Sequence, residues 1–411
     1  MHPATLTFLA ALALGTALRA ALAARQLRHL AAHRGAVPRA FVGAVSEAAH
    51  ACAADYTAAR VRHGLAALAL GLLLALAWTL GGALETLDAA WRALALGPLA
   101  TGVAVLVSFT LLGELIELPL EAWRTFRLEA RFGFNRSTPA RFVSDTFKGL
   151  VLALALTAAL GASALWLMAA EPQRWWLWVW ALLVAASLLM TWAYPTLIAP
   201  WFNRFRALEP GPLRERVEAL VARCGFRSEG VFVMDASTRS AHGNAYFTGL
   251  GSAKRIVLFD TLIERLAPDE VEAVLAHELG HARLHHVGQR LVLSALGSLV
   301  LLWATARLVQ DPTLFAALGV TTPSAHAALL LLTLVAPPLL LPLKPLGAWW
   351  SRRHEFEADA YARQTSDGAA LGRALVALYR DNATTLTPDP WYSAFHDSHP
   401  PPAARLARLG A

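Results

Sequence analysis

VLAHELGHARLHHVGQRLVLSALGSLVLLWATARL, residues 274–308, places a polar stretch rich in histidine directly before a long apolar run. His277 and His281 stand four residues apart, with Glu278 after the first. Just upstream, LAPDEVEAV (266–274) puts Pro268 at a first helical position and Asp269 and Glu270 in a first turn. Proline and acidic residues favour a helix N-terminus. The motif therefore lies inside a helix, where side chains at i and i+4 stand one above the other. The closeness of the apolar run predicts that this helix continues into a membrane span.

Composition supports a membrane setting. The chain of 411 residues is 56% hydrophobic and only 16% charged, with a mean hydropathy of +0.45, which excludes an ordinary soluble globular protein. A bilayer core needs about 20 apolar residues in a helix. Seven runs qualify, at 4–24, 64–84, 93–120, 149–170, 175–199, 291–309 and 326–343. The first lacks a leading positive charge, and Arg19, Arg25 and Arg28 trail it. That order predicts a retained helix with its N-terminus outside, not a cleaved signal. The segments then left inside are 25–63, 121–148, 200–290 and the tail after 343. With Arg19 they hold all of the 36 Lys and Arg except Arg92, Arg174 and Arg307. The positive-inside rule thus places the histidine motif in the cytoplasm.

Several details refine this layout. Trp175, Trp176, Trp178 and Trp180 open the fifth span where an aromatic belt belongs, the two deeper ones serving equally well in bundle packing. Glu114 and Glu117 in the third span either line a polar cavity or sit near the headgroups. Pro337, Pro338 and Pro342 must kink or break the seventh. The net charge of +7 has no basic run interleaved with aromatics behind it, so nucleic acid is not expected as a partner. Cys52 and Cys224 fit no ligand pattern. The Ala/Leu/Arg bias resembles a GC-rich bacterial genome, and an inner-membrane location is expected from it.

HELGH (277–281) fits H-E-x-x-H, in which two histidines bind zinc and the glutamate takes a proton from the water the metal activates. A third histidine six residues beyond His281 is missing, since that position is Val287, and three ligands along one straight helix cannot converge. WWSRRHEFEADAYARQ (349–364) offers Glu355 and Asp359 on one helix face. Glu355 is expected to complete the site for one Zn2+ per chain, and Asp359 to orient a ligand histidine through its second nitrogen. Glu357 points elsewhere by the same spacing. His281 precedes the sixth span by ten residues and Glu355 follows the seventh by twelve. At ~1.5 Å per helical residue both sit roughly 15–18 Å beyond the membrane boundary, at one level. His242, His285, His286 and His354 are read as structural or solvated.

HELGH with a distant EFEAD resembles the type I CAAX prenyl proteases, integral-membrane zinc endopeptidases that trim prenylated proteins near their C-termini, with HtpX-type proteases as broader relatives. GNAYFTG (243–249) resembles the family's edge-strand motif, which implies that Asn244 contacts substrate. SHPPPAARL (398–406) resembles its C-terminal segment, implying a catalytic His399 and an Arg405 that binds substrate or holds an internal acid. EARFGFNRST (129–138) resembles the loop before the fourth span. The expected fold is mainly α: about seven transmembrane helices and a gluzincin-like protease domain with a small β element. The strands are expected as an antiparallel pair near 231–235 and 245–259. A five-helix membrane domain (1–200) would precede a metallopeptidase domain (201–411) that includes the last two spans. The implied partners are the bilayer and a peptide or protein substrate, lipidated or otherwise membrane-associated. Two other functions are consistent with the sequence: quality control of damaged membrane proteins, and non-enzymatic binding of lipid or peptide. The intact Glu278 argues against the last.

Overall fold

The computed structural model describes residues 1–226, 230–248 and 255–410. Among these, seven helices are long and apolar enough to cross a membrane: Pro3–His33, Glu47–Trp78, Pro98–Glu129, Pro139–Ala170, Trp175–Phe202, His286–Leu308 and Ala325–Thr365. All seven expected spans are present, and the chain is an integral multi-pass membrane protein. Side-chain caps start several of them: Ser46 accepts from the Ala49 amide, Thr138 from Arg141 and Ser324 from Ala327. Such caps satisfy amides that the first helical turn leaves unpaired.

The second span ends at Trp78, short of the expected 84, and Ala83–Arg92 forms a separate helix. The break is fixed from outside. Gly319 packs so closely that a Cβ there would lie 2.2 Å from the Thr79 carbonyl oxygen. In the seventh span the prolines act as expected: Ala325–Leu340 gives way to a tight turn at Leu341–Leu343 before Lys344–Thr365 resumes. Trp175 is buried, Trp178 is exposed, and Trp180 donates its indole N–H to the Ala295 carbonyl at 2.8 Å. One of the two deeper tryptophans therefore serves bundle packing.

The first five helices outrun the bilayer. Glu47–Trp78 has 32 residues, about 48 Å of helix against an apolar core of about 30 Å. The surplus of the first four lies on the side of the motif and is tied together there by polar contacts. Arg34 pairs with Asp55 at 2.7 Å, the Tyr56 hydroxyl donates to Glu129 at 2.9 Å, and Arg25 pairs with Asp389 at 3.1 Å. These extensions wall the half of the molecule that carries the motif.

That half is built on a four-stranded sheet with the order β1-β2-β4-β3, where β1 is Phe205–Ala207, β2 Val231–Met234, β3 Ala245–Thr248 and β4 Arg255–Phe259. The expected pairing of 231–235 with 245–259 is corrected. β2 runs parallel to β4 (Val231↔Ile256 to Met234↔Phe259), and the antiparallel pair is β3 with β4 (Ala245↔Leu258 to Thr248↔Arg255). Ile256, Val257 and Leu258 are all buried, which marks β4 as central, covered on both faces. Residues 249–254 of the expected strand, including Gly249 of the edge motif, lie outside the described residues. β3 keeps the outer edge, as expected. The motif helix, Pro268–Arg283, packs on this sheet through Val271, Leu275 and Leu279 and is backed by Leu371 of Gly368–Asp381.

One expectation fails. The motif helix does not continue into the sixth span. It ends at Arg283, and His285 takes a left-handed conformation (φ 58°) before a new helix starts at His286. Hydropathy carries no trace of this, because the break is made by one backbone conformation, which any L-residue other than glycine adopts rarely.

Candidate metal centre

His277 and His281 project from successive turns of the motif helix with their Nε2 atoms 3.2 Å apart. Glu355, on the helix that prolongs the seventh span, reaches both. Its Oε2 lies 3.5 Å from His277 Nε2 and its Oε1 3.4 Å from His281 Nε2. Donors ~2.1 Å from a tetrahedral ion stand about 3.4 Å from one another, the scale of each of these distances, and one donor atom from each of the three residues lies within 4.8 Å of the others. Glu355 Oε2 is buried and makes no hydrogen bond among the described residues, though His277 and His399 lie 3.5 and 3.4 Å away. A buried, unbonded carboxylate oxygen is costly unless a cation meets it. The residues present fit a divalent metal.

The helices can approach this closely because Gly280 faces Ala358. A Cβ on Gly280 would meet the Ala358 Cα at 3.1 Å and the Tyr361 Cβ at 3.2 Å. Gly280→Val should therefore push the helices apart. It is expected to destabilise the chain by roughly 1–3 kcal/mol, the cost of overpacking, and to lower zinc occupancy. Thermal unfolding in detergent and metal analysis of the purified protein would check both.

Around the three donors the electrostatics are arranged in layers. His277 Nδ1 lies 2.8 Å from Asp359 Oδ1, so its Nε2 is left for the metal. Burial works to lower the His277 imidazole, but the carboxylates of Asp359 and Glu355 beside it outweigh this and raise the group to about 9. A metal entering there must displace a proton. Arg405, only 5% exposed, clamps the same Asp359 with Nε at 2.9 Å and Nη2 at 2.5 Å. Of the two roles expected for Arg405, the one its guanidinium occupies is holding an internal acid. Its Nη1 still comes within 3.9 Å of Glu355 Oε2.

Glu278 lines a cavity of about 840 Å3 together with His277, Glu355, Asn244, His399 and Arg405. Burial raises its carboxyl above the usual range, which suits a group that must both take and return a proton. His399 is 65% exposed because it faces this cavity. Asn244 sits just before β3, at the open edge of the sheet, and its segment is held from several sides. The Gly243 amide donates to Asn382 Oδ1 at 3.1 Å, the Phe134 ring stacks on His242 at 4.3 Å, and Asn135 bridges to Ser240. The EARFGFNRST loop thus braces the edge strand. The structure brings together His277, Glu278, His281, Glu355, Asp359, Asn244, His399 and Arg405, whereas Glu114 and Glu117 are exposed and outside the lining of this cavity.

Sequence reasoning missed Tyr56, Glu129 and Asn382, which with His242 fix the Asn244 segment, and read His286 as structural or solvated and Glu357 as pointing elsewhere without placing them behind His281. No spacing rule joins residues so far apart, although the clustering of histidines in HARLHH (281–286) was a signal. A second polar knot, at the outer end of the bundle, has no triad geometry: Ser324 Oγ and Asp88 Oδ1 both meet the same His326 Nε2, at 2.9 and 2.7 Å.

Comparison with known proteins agrees with this architecture. Residues 26–204 match the family described as CAAX prenyl protease N-terminal, five membrane helices, and residues 207–411 match peptidase family M48. A CAAX prenyl protease 1 homolog of Oryza sativa subsp. japonica is 35% identical over 75% of this chain and 72% of its own. CAAX prenyl protease 1 of Saccharomyces cerevisiae is 34% identical over 72% and 69% respectively. The crystal structure of S. mikatae Ste24p superposes with a TM-score of 0.92 at 28% identity, covering 100% of this chain and 99% of the other. With its seven spans, its two-histidine and glutamate centre and this likeness, the chain belongs to the CAAX prenyl protease family and is a membrane metalloendopeptidase of the M48 type.

Proposed function

We propose that the protein is a zinc endopeptidase that cuts extended peptides near the C-termini of prenylated or otherwise membrane-associated proteins, with its catalytic half in the cytoplasm. The observation that carries this reading is the continuity of one cavity. Glu278, Glu355 and His399 share it with Ala23 of the first span and with Val61, Leu65 and Leu68 of the second. A peptide can reach the reactive groups while an apolar anchor stays against the membrane helices. The relatives' names, CAAX prenyl protease 1, point to the same substrates.

His277, His281 and Glu355 would hold the zinc, which when bound supplies Lewis-acid polarisation and acidifies water. Glu278 takes the proton from the attacking water as the new C–O bond forms. It then passes that proton to the departing amine as the C–N bond breaks. Asn244 and the outer edge of β3 bind the peptide main chain, as a strand at the margin of a sheet can. His399 donates to the carbonyl oxygen on which charge develops. The cytoplasmic placement rests on the distribution of Lys and Arg. A bacterial inner membrane rests on composition alone, and the relatives named above, a plant and yeasts, add nothing to it.

A farnesylated peptide, the same peptide without the lipid and an unfolded membrane protein would be compared as substrates of the purified enzyme. The lipidated peptide is expected to give the highest kcat/KM. Preference for the unfolded membrane protein would replace this reading with quality control.

A further inference from the structure

The two metal-binding histidines are backed differently. His277 rests on Asp359 and Arg405, whereas among the described residues His281 has no carboxylate behind it and meets His286 instead. The left-handed turn at His285 is what makes this possible: it folds the first residue of the sixth-span helix back against the motif helix. His286 is 1% exposed. Its Nδ1 lies 2.9 Å from His281 Nδ1, and its Nε2 lies 3.2 Å from Glu357 Oε2. Arg353 holds the other oxygen of Glu357 at 2.8 Å.

A nitrogen pair at 2.9 Å needs one donor and one acceptor. His281 turns its Nε2 toward His277 and Glu355, so a metal there leaves the His281 proton on Nδ1. His286 Nδ1 must then accept, which puts the His286 proton on Nε2, facing Glu357. One assignment of protons satisfies every member of the chain. We propose that His286, held by Glu357, is a positioning residue that fixes the tautomer and ring orientation of His281 and so tightens zinc binding. This rests on the metal reading above and extends it to a second support, independent of Asp359.

His286, His354 and Glu357 also stand close enough together to hold an ion of their own. The rings decide against it. His286 and His354 stack 3.9 Å apart with a 2° tilt, so their lone pairs run in parallel planes and cannot converge on one ion. His354 also has another partner, Gln289 Oε1 at 3.2 Å from its Nε2. The stack keeps His286 in register behind His281.

The test is zinc affinity of the full-length protein in detergent, read by competition with a chromogenic chelator. Three variants separate packing from hydrogen bonding. His286→Ala is expected to weaken zinc by roughly 10–100-fold, the usual loss when the group behind a metal-binding histidine is removed. His286→Gln keeps an acceptor and should recover to within a few-fold of wild type. His286→Phe keeps the ring and its stack on His354 but has no acceptor, and should bind as weakly as the alanine variant. A purely structural residue would give the opposite order, with phenylalanine as the better replacement, and that result overturns the proposal. So would a second zinc in wild type that His286→Phe removes. Equal zinc binding by wild type and Glu355→Ala would instead show that the metal reading beneath it is wrong.

Discussion

Glu278→Gln is expected to lower kcat by about a thousand- to ten-thousand-fold while zinc content stays at the wild-type level. The magnitude is that of removing a well-placed general base. The separation of the two readouts follows from geometry. Glu278 lines the cavity beside the three donors but is not one of the group that converges at 3.2–3.5 Å. Glutamine keeps the shape and can still hydrogen-bond, through an amide in place of the carboxylate, while losing the capacity to take a proton. Metal analysis and single-turnover cleavage on the same preparation check it. Turnover at the wild-type rate would refute the assigned chemistry, and loss of metal would show that Glu278 belongs to the donor set.

The second large effect concerns the carboxylates of the Lys344–Thr365 helix. Glu355→Ala removes a donor and should leave the protein unable to hold zinc through dialysis. Asp359→Ala should keep measurable zinc, bound roughly 10–100-fold more weakly, yet destabilise the fold more. Arg405 would be left as a buried guanidinium without its partner, and such orphaned charges cost about 3–5 kcal/mol. Adding Arg405→Met to Asp359→Ala should restore much of that stability and none of the zinc affinity. Thermal unfolding with and without chelator distinguishes the variants. If Asp359→Ala were as stable as wild type, the Arg405–Asp359 pair would not be the prop that its two hydrogen bonds suggest.

The donor set was legible because it rests on local periodicity. His277 and His281, and Glu355 and Asp359, are each set four apart on one helix, and the distances of both pairs from their spans gave a common depth. The four-residue spacings survive folding unchanged, whereas the depth counted from the sixth span assumed a continuous helix that the turn at His285 breaks. The sheet was misread for the opposite reason: β2 and β4 are parallel and separated by the whole of β3, so their partnership is not written in the alternation of either. The break at His285 was hidden because a left-handed histidine, unlike a glycine, leaves no mark in composition. That one torsion also determines where His286 goes, so the support behind His281 could not be foreseen without it.

The braced, open margin of β3 beside the metal donors carries a last implication. A strand edge that grips main chain is indifferent to the residues it holds, and alone it would make a protease dangerous to its neighbours. On the function proposed above, the helices that share the cavity, through Ala23, Val61, Leu65 and Leu68, would do the choosing. Selectivity would then be a property of admission rather than of taste.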